Sequence, residues 1–172
     1  MVVRKVCFLL SLVSFSYSYD CISFAAGVYD LLREKGRTCE FSAEYKFHFE
    51  CLKASQQFFE FRPLVGLMGT VRGSVYLYGG LNLDLLFWDH FVFAPGFAAG
   101  YYRKGGGKDL GYPLEFRSGI ELGWQFADGH RLGAHFYHLS NASLGRKNPG
   151  EESLVLFYDI PIGNGFPFHP SK

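Results

Sequence analysis

His138-Leu139-Ser140 sets an imidazole and a hydroxyl two residues apart, and a carboxylate follows at Glu152. These are the groups of nucleophilic ester or amide cleavage: the histidine takes the serine proton, and the carboxylate orients and charges the ring. Residues two apart on a strand share a face, about 6.8 Å from each other along the chain, so an imidazole leaning along the strand can reach the hydroxyl with some local twist. An adjacent antiparallel strand can bring Glu152 to the other ring nitrogen. The backbone N–H of Asn141 or Ala142 and the side-chain amide of Asn148 are candidate donors for a developing oxyanion. Taken alone, this spacing favours a plainer reading as loop residues at a strand end, since Asn148-Pro149-Gly150 is an ordinary turn sequence. The histidines at 48, 90, 130 and 135 read as single polar residues.

Strands must position these groups. From Tyr112 to Phe126, Phe116, Ser118, Ile120, Leu122 and Trp124 alternate with Glu115, Arg117, Gly119, Glu121 and Gly123, which is a period of two. Glu40 to Glu50 and Ser74 to Phe87 repeat the pattern. Weaker strands are expected near Ile22–Leu32, Phe59–Thr70, His90–Tyr102, Arg131–Asn141 and Ser153–Ile162. Turn signals separate them at Lys35-Gly36-Arg37, Arg72-Gly73, Gly105-Gly106-Gly107 and Asp128-Gly129. About eight strands of about ten residues suit the smallest membrane barrels. On the strand from Arg131, His138 and Ser140 share the parity of Leu132 and Phe136. On the last strand, Glu152 shares the parity of Leu154, Leu156 and Tyr158, whereas Glu151 has the other. All three candidate groups therefore continue an apolar face.

Alternation alone does not say which face looks outward. A soluble lipid-carrying barrel points its apolar face inward, and a membrane barrel reverses this. Composition leans toward the membrane: 19% of the 172 residues are aromatic, and the apolar faces are rich in Phe, Tyr, Trp and Leu. Residues 1–18 read as an export signal, with Arg4 and Lys5, an apolar run from Val6 to Phe15, and small Ser16 and Ser18. That leaves 19–172 as one barrel domain. A net charge of +1 without a basic tract argues against nucleic acid. Cys7 belongs to the signal, and Cys21, Cys39 and Cys51 allow one disulfide and one free thiol, with no zinc-site spacing.

His138-Leu139-Ser140-Asn141-Ala142 followed by Asn148-Pro149-Gly150-Glu151-Glu152 resembles the signature of the PagL-type lipid A 3-O-deacylases. Lys108-Asp109-Leu110-Gly111, Leu114 to Glu121 and Gly27-Val28-Tyr29-Asp30 are similar to that family too. The resemblance implies an all-β fold, an eight-stranded antiparallel outer-membrane β-barrel. It implies His138, Ser140 and Glu152 as catalytic residues on the lipid-facing surface, with Asn148 as the oxyanion asparagine and Asn141 as the asparagine after the serine. The implied reaction releases a 3-hydroxy fatty acid from lipid A in lipopolysaccharide, with no metal or organic cofactor, and a homodimer is left open. The tail from Gly163 to Lys172 departs from the aromatic strand end usual in such barrels, and the mature cysteines are unusual for the family. A barrel with a purely structural role is the alternative.

Overall fold

The computed structural model describes residues 19–49 and 59–162. The expected signal, Cys51 and the tail 163–172 lie outside the described residues. Eight strands run in chain order: β1 (Asp20–Tyr29), β2 (Thr38–Lys46), β3 (Phe59–Thr70), β4 (Val75–Phe87), β5 (Phe91–Arg103), β6 (Leu114–Gln125), β7 (Arg131–Ser140) and β8 (Glu151–Ile162). Each pairs antiparallel with its neighbours, and β8 returns to β1 to close a barrel. The period-two segments are the strands, because alternating side chains separate onto the two faces of a pleated chain.

The apolar face is the outer one. Phe24, Phe41, Leu67, Leu77, Phe97, Leu122, Trp124 and Leu156 are all exposed. Glu44, Lys46, Arg62, Asp84, Arg117, Glu121, Arg131 and Asp159 are buried within the barrel. Such a surface suits hydrocarbon and such a lumen does not, so the fold is that of a membrane-spanning barrel. A soluble carrier would carry the two sets reversed.

Buried charges need partners, and here the partners come from across the lumen. Lys46 Nζ donates to both oxygens of Glu121, at 3.1 and 2.9 Å, and lies 3.3 Å from Asp159 Oδ2. Arg117 donates to Glu44 at 2.7 Å and lies 4.2 Å from the centre of the Tyr78 ring. Asp84 accepts from Arg131 at 2.8 Å and from Arg62 at 3.4 Å. Toward the end of the barrel where β7 finishes, hydroxyls replace cations. Ser153 Oγ lies 2.7 Å from Glu40 and 2.9 Å from Glu151, and Tyr137 donates to Glu40. Large rings fill the remaining space where glycine makes room: a Cβ at Gly66 would fall 2.5 Å from the Tyr78 ring. The lumen is therefore a packed polar core rather than a pore.

Among the described residues, Cys21 and Cys39 are free thiols, one buried and one exposed. Cys21 is level with Lys46 and Cys39 with Val28, so they sit toward opposite ends of the β1–β2 ladder.

The ion network carries a stability prediction. Lys46→Met leaves Glu121 and Asp159 facing each other without their shared cation, and should cost about 3–5 kcal/mol. Urea unfolding in lipid vesicles measures it. A loss under about 1 kcal/mol would mean that these charges are not held by one another.

Candidate active site

The site is built where β7 ends and β8 begins. In the β7–β8 register His138 stands opposite Glu152, and Leu139 opposite Glu151. His138 and Glu152 both point outward, whereas Glu151 is fully buried and accepts from the Asp30 backbone N–H at 3.2 Å. His138 Nδ1 and Glu152 Oε1 are 3.1 Å apart. With Nδ1 protonated and donating, Nε2 keeps its lone pair and can accept a proton. Ser140 is the next outward residue along β7, partly buried. The structure thus joins histidine and carboxylate directly and sets the serine hydroxyl on the same face. No hydrogen bond links Ser140 to His138 among the described residues.

The loop from 141 to 150 is held by its asparagines. Asn141 is fully buried, and its Nδ2 donates to Leu110 O at 2.8 Å and Lys147 O at 2.9 Å. It ties this loop to the one between β5 and β6. Lys147 Nζ adds an ion pair to Asp109 at 3.1 Å. That hydrogen bond, with the Gly111 N–H, holds the Asp109 carboxyl below the usual carboxylate range. The Asn141 backbone N–H donates to Asn148 Oδ1 at 3.0 Å. Because the two ends of an amide point apart, this contact leaves Asn148 Nδ2 as the donor end. Ala142 and Ser143 both take the left-handed backbone conformation, with φ of 51° and 65°. Such residues cost free energy unless their surroundings hold them, and they concentrate at functional loops.

Three further residues touch the site. Gly150 has φ of 57°, and a Cβ there would fall 2.6 Å from His138 Cε1. Glycine takes this left-handed backbone with the least strain, and the imidazole packed against it leaves no room for a side chain. Arg33, in the loop between β1 and β2, donates to Gly150 O at 2.9 Å and lies 3.9 Å from Glu152 Oε2. That oxygen is buried without a hydrogen bond, so Arg33 supplies its nearest positive charge. Ser118, exposed on β6, stands opposite His138 on the side away from Glu152. Glycine at a turn is a signal that sequence carries. The Arg33 contact spans 117 residues and leaves no local trace.

A serine, a histidine and a carboxylate on one outward face can perform nucleophilic attack on an ester whose acyl chain lies against the barrel. Among the described residues no group of His, Cys, Asp and Glu is arranged to hold a metal ion.

Comparison with known proteins agrees with this arrangement. The Lipid A deacylase PagL of Pseudomonas aeruginosa (strain PAO1) is 43% identical over 67 residues, which are 39% of this chain and 39% of that protein. The match thus spans about two fifths of the relative. The crystal structure of the outer membrane enzyme PagL aligns with a TM-score of 0.70 at 21% identity, covering 83% of this chain and 99% of that one. At that identity the likeness speaks for the fold. The family model for the lipid A 3-O-deacylase (PagL) matches residues 66–161, from the middle of β3 to the end of β8. That is more than half of the chain and includes His138, Ser140, Glu152 and the loop between β7 and β8, though not Arg33, so the chain belongs to the lipid A 3-O-deacylase (PagL) family.

Proposed function

We propose that this protein is an outer-membrane esterase that hydrolyses the acyl ester at position 3 of lipid A in lipopolysaccharide. The observation that carries this reading is the His138–Glu152 hydrogen bond on the lipid-facing surface, with Ser140 one outward position away. Family membership supports the substrate class.

Ser140 Oγ attacks the ester carbonyl while His138 Nε2 takes its proton. Glu152, bonded to Nδ1, keeps the tautomer and stabilises the imidazolium. The oxyanion of the tetrahedral intermediate is met by Asn148 Nδ2 and the Ala142 N–H, and the Asn141 N–H holds Asn148 in place. Collapse expels the sugar hydroxyl, protonated by His138. Water then attacks the acyl-serine through the same base, releasing the 3-hydroxy fatty acid. The acyl chain has a seat below the site. Phe136 and Leu154 lie directly beneath His138 and Glu152. Further down the face is an open cleft of about 420 Å³, lined by Phe24, Ala26, Phe41, Leu132, Leu156 and Tyr158.

Mass spectrometry of lipid A from Gram-negative cells tests the reaction. Wild type should remove one hydroxyacyl group, and Ser140→Ala should remove none, with a rate loss of roughly 10⁴-fold or more. Ser118→Ala, the other hydroxyl beside His138, should keep the activity. Identical spectra for wild type and Ser140→Ala, with both barrels folded in the outer membrane, would refute the proposal.

The pose of the imidazole yields a second prediction. Gly150→Ala should leave the barrel folded, because the residue lies in a loop, yet push the His138 ring from its place. The expected result is at least a tenfold loss of kcat, on the order of what a misplaced base costs. Retained kcat in a folded Gly150→Ala variant would show that the ring pose does not govern the reaction.

A further inference from the structure

The loops at the site end of the barrel are rich in cations, and the two described turns at the opposite end, 88–90 and 126–130, contain neither lysine nor arginine. Four of these cations are committed. Lys108 lies 2.5 Å from Asp30, and Lys104 and Lys147 share Asp109 at 3.6 and 3.1 Å. Arg33 faces Asp30 and Glu152. Arg146, in the loop 141–150, has no carboxylate partner among the described residues, and neither do Lys35, Arg37 and Arg72, which lie in the joined β1–β2 and β3–β4 loops. These last three are all exposed. Glu34, the acid beside Lys35, pairs with none of them.

The two arginines among them are nevertheless anchored. Arg37 Nη2 donates to Leu31 O at 2.8 Å, and Arg72 Nη1 donates to Lys35 O at 2.9 Å. Arg72 thereby ties the β3–β4 turn to the β1–β2 loop. Each bond to a carbonyl orders the guanidinium without neutralising it and leaves its other N–H groups directed elsewhere. A planar fork of donors with uncompensated charge matches a phosphate. The apolar neighbours identify the source of that phosphate. Leu32 and Val71, at 67% and 71% exposure, flank the same cations. Apolar side chains next to cations at the edge of a lipid-facing belt suit the headgroup layer of a bilayer, where both find partners. The β1–β2 loop also lies beside the catalytic face, since Leu31 N donates to Glu152 O at 2.7 Å.

We propose that Lys35, Arg37 and Arg72 form a docking site for a phosphate group on a lipid headgroup, which holds a phosphorylated lipid beside the ester-cleaving face. The site rests on the esterase reading for its purpose and on the unpaired guanidiniums for its chemistry. The cations lower the free energy of bound phosphorylated lipid and leave the chemical step untouched.

The test compares bisphosphorylated lipid A with its dephosphorylated counterpart as substrates for the full chain in detergent micelles. Wild type should show a KM about tenfold lower for the phosphorylated lipid at low salt, and added salt should erase the difference. The triple variant Lys35→Gln, Arg37→Gln and Arg72→Gln keeps donors for the two carbonyls but loses the charges. It should lose the discrimination between the substrates while kcat stays unchanged on both. Unchanged discrimination in the variant, or an equal rise of KM on both lipids, would overturn the site. Competition by inorganic phosphate as strong as by the phosphorylated lipid would reassign it to the free anion. If wild type cleaves neither lipid, the esterase reading fails on its own. The docking site is then decided by flotation of the detergent-diluted protein with phosphatidylglycerol vesicles, where wild type must retain more lipid phosphorus than the variant.

Discussion

The ladder between β1 and β8, from Asp20↔Ile162 to Val28↔Leu154, is the constraint on which the rest of this molecule depends. In hydrocarbon an unpaired strand edge leaves backbone N–H and C=O groups without partners, at several kcal/mol per group. Closure removes both edges at once. Closure also divides every strand into an inner and an outer half, because the pleat alternates side chains. The inner half is buried, so Lys46, Arg117 and Arg131 meet Glu121, Glu44 and Asp84 across the lumen. The same registers decide the site. A slip of one residue between β7 and β8 would bring Glu151 outward and bury Glu152. Glu151 is already tied to Ser153 and to the Asp30 N–H, so the interior network and the outward carboxylate fix one another.

Much of this was legible in the residues. Each expected strand overlaps an observed one, and Phe59–Thr70 coincides with β3. The parity that separated Glu152 from Glu151 appears in space as one carboxylate on each side of β8. Alternation reads most clearly on β2 and β6, whereas on β5 the inward Val92, Ala94 and Ala98 are as apolar as the outward Phe97 and blur it. What alternation could not provide was the sign of the faces, since a lipid carrier and a membrane barrel share the same period. Burial provides it: Arg117 and Glu121 are inside, Ile120 and Leu122 outside, in one short run of β6.

The parts of the site that the residues did not reveal are those made by distant loops. Asn141 reads as a residue beside the serine that offers its N–H to the reaction. In the fold its side chain is a buried clamp on Leu110 and Lys147, and its N–H is engaged by Asn148. Arg33 reaches Gly150 and Glu152 only because barrel closure makes the β1–β2 loop a neighbour of β8. Such contacts depend on the circular order of strands, which no local pattern encodes. The left-handed pair Ala142-Ser143 is similar, since neither residue type favours that conformation and the clamped loop imposes it.

Polar groups on a lipid-facing surface are costly, and their depth explains how this barrel tolerates them. His138 and Glu152 are the last outward pair before the loop, and Phe136 and Leu154 are the next pair down. One pleat repeat, about 6.8 Å, separates a hydrogen-bonded imidazole from bare hydrocarbon surface. The His138 side chain is 43% exposed and that of Glu152 16%, so the ring opens to the interface while its carboxylate partner is sheltered beneath Arg33. Hydrolysis needs both sides of this boundary. In the proposed reaction the acyl chain must remain among apolar residues, and the water that frees it from the serine must arrive from above. A site one pleat deeper would lack that water, and one carried further up the loops would have to draw the ester out of the membrane. The strand end satisfies both conditions, and it also places the groups within reach of the loops that clamp them.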